Sequence, residues 1–478
     1  MRALDKNVRV VLISTYELGH QPFGLASPAS WLRELGAHVD CLDLAVGDFD
    51  EQAVRDADLL AFYIPMHTAT RLAAVLVERV RKLNPAAHLC FYGLYAPVNE
   101  DYLRGLGADT ILGGEFEEGL AAVVRAMATN GQAASPPAQA APVISLARQD
   151  FLVPDRSGLP SLDRYAYLEL SDGQRRVVGY TEATRGCKHL CRHCPIVPVY
   201  NGRFRVVQHH VVMADVAAQV AAGAQHITFG DPDFFNGPAH ALAVVREVHD
   251  RFPEITYDVT IKVEHLLKQA DKLPVLRDTG CLFVTSAVES VDDQILTYLD
   301  KLHTREEFIE VVRLFRETRL ALNPTFVTFT PWTTPENYLD LLELIAELGL
   351  VGNIAPIQYA IRLLIPQGSR LLELPQVREL VGEFDAPSLA YPWTHPDPRV
   401  DRLYADVMAE VKESMRTSAS RPETFTRVRR VAYAAAHPGS PIPEPAGGLD
   451  QAILEVPRLS EPWYCCAEPT EEQLSPSV

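Results

Sequence analysis

Twice along this chain, short apolar runs of strand length alternate with stretches of helical period, and a segment that can bury nothing separates the two blocks. In the first block the runs fall near Val8–Ser14, His38–Leu44, Leu59–Ile64, His88–Tyr92 and Asp109–Leu112. Strands alternating with helices predict a parallel, doubly wound sheet, here a Rossmann-like domain over residues 1–129. Ser27 and Pro28 read as the cap and first residue of its first helix. Residues 130–147, which begin with a run of Gly, Ser, Pro, Gln and Ala, are expected to be a linker. Alternation resumes with strands near Val177–Thr181, His226–Phe229, Thr256–Lys262, Leu282–Val288, Leu320–Phe329 and Asn353–Leu364, and with helices such as Ala214–Ala222, Ala239–Arg251 and Arg305–Thr318. Six strand-then-helix units predict a partial (β/α)6 barrel of the TIM type over residues 148–370, with its site at the C-terminal strand ends. Residues 371–478 read as a helical and irregular extension, with helices near Arg399–Met415 and Phe425–Ala436 and a Pro-rich tail. The expected fold class is α/β.

Composition narrows the function. The 478 residues are 47% hydrophobic, enough for more than one core, yet no apolar run reaches the roughly 18 residues of a membrane span. Residues 1–6 lead straight into a strand pattern rather than a signal-peptide core, so a soluble cytoplasmic protein without a membrane partner is expected. With 62 acidic and 44 basic residues the net charge is −18, which disfavours a nucleic-acid partner. Eight cysteines, three of them close together and two adjacent, do not suit a secreted disulfide framework; their grouping points to ligand chemistry.

Directly after the first strand of the second block stands Glu182-Ala-Thr-Arg-Gly-Cys187-Lys-His-Leu-Cys191-Arg-His-Cys194-Pro195. Thiolates spaced Cys-x3-Cys-x2-Cys on a loop can hold three corners of a [4Fe–4S] cube and leave the fourth iron open. The alternatives are a zinc site completed by His189 or His193, or three free thiols. The motif and its place resemble the radical S-adenosylmethionine (SAM) superfamily. That resemblance implies that Cys187, Cys191 and Cys194 hold the cluster, that SAM chelates the open iron, and that one electron then cleaves the sulfonium, usually giving a 5′-deoxyadenosyl radical. His193 stands where many relatives carry an aromatic or apolar residue. By the same resemblance, Gly230 and Asp231 in Gly230-Asp-Pro-Asp-Phe234 match a Gly-Gly-Glu-like turn that receives the methionine amino group. Lys262 would meet the methionine carboxylate, and Glu289 and Ser290 match a Gly-Ile-Glu-Ser element, although Ala287 and Val291 replace its glycines. The resemblance also implies a reducing partner of flavodoxin or ferredoxin type and a small-molecule substrate.

In the first block, Tyr16–His20, Pro65–Thr68, Gly93–Pro97 and Gly113–Glu117 follow predicted strands and would line a crevice for a large ligand. A domain of this kind before such a barrel resembles the cobalamin-binding class of the superfamily, which implies cobalamin as a further cofactor. The Asp-x-His-x-x-Gly motif that supplies an axial histidine is absent, and His20 and His67 are the imidazoles near strand ends. Adjacent Cys465 and Cys466 suit a soft metal or redox chemistry and are expected to be catalytic. The run Cys465-Cys466-Ala-Glu-Pro469 resembles the tail of the CUAEP/CCAEP radical SAM proteins and selenoproteins, with Cys466 at the position exchangeable with selenocysteine. The expected function is SAM-dependent modification of a small metabolite, by methyl transfer or related chemistry. Alternatives are 3-amino-3-carboxypropyl transfer to a thiophilic acceptor such as trivalent arsenic held by the cysteine pair, and a non-enzymatic soft-metal protein. Glu115, Asp231, Asp233, Tyr95 and His303 are open candidates for an acid or base.

Overall fold

The computed structural model describes residues 8–129, 143–443, 454–461, 468–469 and 473–474. Its first sheet has six strands in the order β2-β1-β3-β4-β5-β6: β1 (Arg9–Ser14), β2 (His38–Asp43), β3 (Leu59–Tyr63), β4 (His88–Tyr92), β5 (Thr110–Gly114) and β6 (Ile144–Ser145). All pairings are parallel. The apolar residues of these strands alternate between two cores. One packs Val10, Leu12, Cys90 and Tyr92 against α1 (Phe23–Glu34) and a later helix; the other packs Val11, Ile13, Phe62 and Phe91 against helices on the opposite face. The helices of the second face are α2 (Glu51–Asp56), α3 (His67–Leu83) and α4 (Glu100–Gly105), and α5 (Glu117–Ala128) lies beside α1. Residues 144–145, expected in the linker, pair with β5 and complete this sheet.

The start of α1 differs from the sequence expectation. The helix begins at Phe23, and Pro28 falls inside it. A proline there has no N–H for the carbonyl four residues back. That carbonyl, on Gly24, instead accepts from the Tyr92 hydroxyl at 2.8 Å, while Ser27 donates to Glu117 Oε1 at 2.7 Å rather than capping.

The second sheet has seven strands in the order β14-β13-β12-β11-β8-β7-β15. Its parallel part comprises β8 (Arg175–Thr181), β11 (His226–Phe229), β12 (Thr256–Thr260), β13 (Cys281–Glu289) and β14 (Ala321–Phe326). The strand β7 (Tyr167–Glu169) and the edge strand β15 (Arg458–Leu459) are antiparallel, and β9 (Thr184–Gly186) pairs with β10 (Phe204–Val206) as a separate ribbon. Helices α6 (Val197–Tyr200), α7 (His209–Ala221), α8 (Pro238–Arg251), α9 (Val263–Lys268), α10 (Leu273–Asp278), α11 (Asp293–Leu299), α12 (Arg305–Thr318) and α13 (Pro335–Glu347) fill the connections. Thr304 and Thr334 cap α12 and α13, each in a capping box. The architecture is mixed α/β with parallel sheets of the barrel-core kind, followed by a helical region of α14 (Pro375–Leu380), α15 (Pro398–Arg416) and α16 (Arg421–Ala436).

The sixth barrel strand expected at Asn353–Leu364 does not form. Residues 351–353 and 356–360 coil into single helical turns, and what remains is one parallel bridge between Phe329 and Arg362. Pro356 opens the second turn and has no N–H to give a strand ladder. Among the described residues no helix is long and apolar enough to cross a membrane.

Candidate active site

The C-terminal ends of both sheets open into one cavity of about 550 Å³. From the first sheet it is lined by Glu17, His20, Tyr63, Met66, His67, Tyr95 and Phe116, which follow β1, β3, β4 and β5 or end them. From the second it is lined by the cysteine loop and by Gly230, Asp231, Lys262, Glu289 and Lys301. Thr228, Asp258, Thr285 and Asn323 carry a polar wall down between the barrel strands.

The cysteine loop is fixed by its own sequence and by its neighbours. Gly186 ends β9 at a φ of +77°, and a Cβ there would lie 2.3 Å from the Tyr200 ring, so only glycine fits. Asn236 braces the loop by accepting from Lys188 N–H and donating to the Gly186 carbonyl. Arg192 donates to Thr297 O and Tyr298 O, and Arg370 donates to Leu190 O at 2.7 Å. Cys187, Cys191 and Cys194 all line the cavity. Burial pushes the Cys187 thiol up to about 11, so it stays protonated at neutral pH unless a cation stands beside it, which is what a metal centre supplies. The three sulfurs do not join a histidine nitrogen in a group tight enough for one ion; among the described residues only His189, Asp233 and His265 form one. His193 is turned to Glu289 Oε1, at 3.1 Å, and His189 to Asp233 Oδ2, at 3.2 Å. Separated thiols on a pinned loop fit a cluster better than a single zinc ion.

The strand ends supply the remaining groups. Gly230 follows β11 where a Cβ would lie 1.8 Å from Tyr180 Oη. The carboxylate of Asp231 accepts from Ala183 N–H at 2.9 Å and from Thr184 Oγ1 at 2.6 Å, welding two strand ends together. Lys262, after β12, is 7% exposed, and its Nζ makes no hydrogen bond; the nearest carboxylate oxygen recorded for it is on Glu264, at 3.9 Å. Burial and the neighbouring Lys301 lower its affinity for a proton. Glu289 ends β13 at a φ of +69° and receives His193 and Lys301, the latter at 3.3 Å. Burial would raise this carboxyl, but Lys301 and His193 outweigh it and hold it at about 2. Ser290 lies off the cavity wall, its hydroxyl accepting from Asp292 N–H. His303 is buried beside Lys301, and burial together with that ammonium drives its imidazole down to about 3, so it is neutral. Cys465 and Cys466 lie outside the described residues.

Sequence reasoning passed over Arg185, two residues before Cys187. Its guanidinium is 6% exposed and meets Glu115 at 3.3 Å, Glu117 at 2.7 Å and Glu182 at 2.7 Å, so one cation ties the start of the cysteine loop to the end of the first sheet. Burial raises Glu115 to about 7, against the pull of Arg185. Glu17, also buried, is raised well above the ordinary carboxyl range by burial and by the charge of Glu182. His20 and His67 are each lowered to about 4 by burial, and His67 Nε2 contacts the Ser388 carbonyl oxygen at 2.6 Å. Lys301 and His265 were likewise unmarked in the sequence.

Comparison with known proteins agrees with this geometry. Residues 181–348 match the family described as the Radical SAM superfamily. The tRNA-2-methylthio-N(6)-dimethylallyladenosine synthase of Desulfosudis oleivorans is 24% identical over 222 residues, 43% of this chain and 45% of that protein. Its counterpart in Christiangramia forsetii is 24% identical over 194 residues, 35% of this chain and 40% of the relative. The chain thus spans less than half the length of these curated relatives. Among solved structures, the radical SAM methyltransferase TsrM from Kitasatospora setae, with cobalamin and a [4Fe–4S] cluster bound, aligns with a TM-score of 0.64 at 15% identity, covering 90% of this chain and 99% of that one. The cobalamin-dependent SAM radical enzyme OxsB, with aqua-cobalamin and SAM bound, aligns with a TM-score of 0.62 at 13% identity, covering 88% and 72%. At such identities the likeness is one of fold. The matched segment begins at the end of β8 and takes in the cysteine loop and the next four strand ends, so residues 181–348 form a radical SAM domain and the chain is an enzyme.

Proposed function

We propose that the chain is a radical SAM enzyme of the cobalamin-binding class, with a Rossmann-like cofactor domain at 1–129 completed by the strand at 144–145, a partial barrel of five parallel strands within 148–370 and a small-molecule substrate that it methylates. The observation that carries this is the continuous cavity: one chamber runs from the cysteine loop to the strand ends of the first sheet, where a second cofactor would face the first. Its extent over both sheets is matched by the likeness to TsrM and OxsB, whose structures hold cobalamin.

When bound, a [4Fe–4S] cluster supplies the electron that breaks a sulfonium bond of SAM, and cobalamin carries a methyl group. Cys187, Cys191 and Cys194 would hold the cluster. Lys262 presents a buried ammonium that makes no hydrogen bond, which suits the methionine carboxylate. The Gly230–Asp231 turn lines the chamber, with the Asp231 side chain held by Ala183 N–H and Thr184 Oγ1. Glu289 stays ionised and lines the far wall. The tail residues Cys465 and Cys466 would act as thiols on the substrate side, as the likeness to the CCAEP tail implies. A small metabolite is favoured over RNA because the net charge is −18 and the match to the tRNA-modifying synthases covers 43% of the chain at most among those described above.

The test is anaerobic reconstitution with iron, sulfide and cobalamin, then reduction. Addition of SAM is expected to change the electron paramagnetic resonance spectrum of the cluster, and mass spectrometry is expected to find S-adenosylhomocysteine with 5′-deoxyadenosine. Methylthioadenosine instead would transfer the assignment to 3-amino-3-carboxypropyl chemistry. An unchanged spectrum with no cleavage would overturn the proposal.

A further inference from the structure

Behind the cysteine loop, three successive strand ends bring together groups that the proposed chemistry does not use. His189 comes from the loop itself, Asp233 from the turn after β11, and His265 from α9 after β12. One ligand atom from each lies within 4.8 Å of the other two. Asp233 Oδ2 is 3.2 Å from His189 Nε2 and 2.7 Å from His265 Nδ1. Both contacts are of ion-pair length, so one buried carboxylate oxygen meets two imidazole nitrogens, and none of the three atoms has a further hydrogen-bond partner. Asp233 is 1% exposed; its other oxygen is already satisfied by Phe235 N–H at 3.0 Å. Two imidazole nitrogens converging on one buried carboxylate oxygen are what a metal site presents.

The surroundings agree. Glu264 Oε2 stands 3.6 Å from His189 Nδ1, the nitrogen turned away from Asp233. A carboxylate behind a ligating imidazole fixes its tautomer and strengthens it as a ligand. Ligand atoms about 2.0–2.1 Å from a tetrahedral ion lie roughly 3.4 Å apart, a small expansion of the distances here. His189 and Asp233 both reach the cavity wall, so a fourth position would open toward the chamber. Imidazole and carboxylate donors select a divalent first-row ion such as zinc or ferrous iron, not the soft-metal chemistry of the thiols.

We propose that His189, Asp233 and His265 form a mononuclear site for a divalent transition-metal ion, separate from the three cysteines and bracing the loop that carries them. The site stands independently of the cofactor assignment, because iron and sulfide content report on the cysteines while zinc content reports on this site. Anaerobically reconstituted protein is equilibrated with micromolar zinc, freed of loose metal, and analysed for zinc, iron and sulfide. About one zinc per chain is expected, with a zinc-edge absorption shell of nitrogen and oxygen at about 2.0–2.1 Å and no sulfur near 2.3 Å. His265→Ala and the better-packed His265→Gln should each lower zinc retention at least tenfold with iron and sulfide unchanged. Absence of zinc in the parent protein, equal retention in both variants, or a sulfur shell would overturn the proposal.

Discussion

Replacing Arg185 by Met tests the idea that one buried cation joins the two sheets. Its contacts with Glu115, Glu117 and Glu182 span 2.7–3.3 Å. At an effective dielectric near 20 each is worth about 4 kcal/mol of attraction, most of it offset by the desolvation of four ions. What survives is the asymmetry: removing one partner strands buried carboxylates, at a cost of about 3–5 kcal/mol. The loss has a pH signature. With the guanidinium gone, the carboxyls rise above their ordinary value of 4.5, so they bind protons in the folded chain that the unfolded chain has released. Groups raised in this way stabilise most below 4.5 and lose that contribution as the pH rises through their folded values. The deficit of Arg185→Met, read from urea transitions followed by circular dichroism, should therefore be largest near pH 8 and shrink toward pH 6. Adding Glu117→Gln should recover part of it, since one stranded charge is removed. A deficit under about 1 kcal/mol, or one that does not change with pH, would refute the coupling.

Tyr92→Phe should cost about 1–3 kcal/mol by leaving the Gly24 carbonyl unpaired beside Pro28, and Pro28→Ala in the same chain should restore most of it by returning an N–H; urea titration of the two variants checks both. Lys262→Met should leave the fold as stable as before or more so, because its ammonium is buried without a hydrogen bond, while weakening SAM binding at least tenfold by equilibrium dialysis at full iron content. Converting Cys465 and Cys466 together to Ser should abolish turnover without loss of cluster absorbance; full activity would remove the tail from the chemistry.

The two strand-and-helix blocks were legible because each rests on local periodicity. Burial of β3 on both faces makes Leu59–Tyr63 a continuous apolar run, and a sequence shows such a run directly. Two features failed to show for opposite reasons. The segment Asn353–Leu364 is as apolar as a strand, but Pro356 and the turns around it leave one bridge in place of a ladder. Ser27-Pro28 has the local chemistry of a helix start, yet α1 begins five residues earlier, and Tyr92, 68 positions beyond Gly24, repairs the carbonyl that the proline orphans. Local rules decide where a helix is easiest to start, and a tertiary hydrogen bond can move that point.

The same distinction divides the site. Cys187, Cys191 and Cys194 lie within eight residues, so their chemistry is written in their spacing. The groups that set the electrostatics around them are joined over long separations: Arg185 to Glu115 across 70 positions and His193 to Glu289 across 96. An arginine two residues before a cysteine has no signature of its own, and neither does a histidine on a short helix after β12. What makes them functional is that parallel strands deliver every strand end to one rim, so residues from each connection share a chamber whatever their distance in sequence. A cysteine motif therefore locates the rim, and buried groups on it, Lys262 Nζ without a hydrogen bond and the converging His189, Asp233 and His265, show where it has capacity left to bind. That capacity is cationic at Lys262 and imidazole and carboxylate at His189, Asp233 and His265, which is why SAM and a divalent ion are assigned to different groups on it.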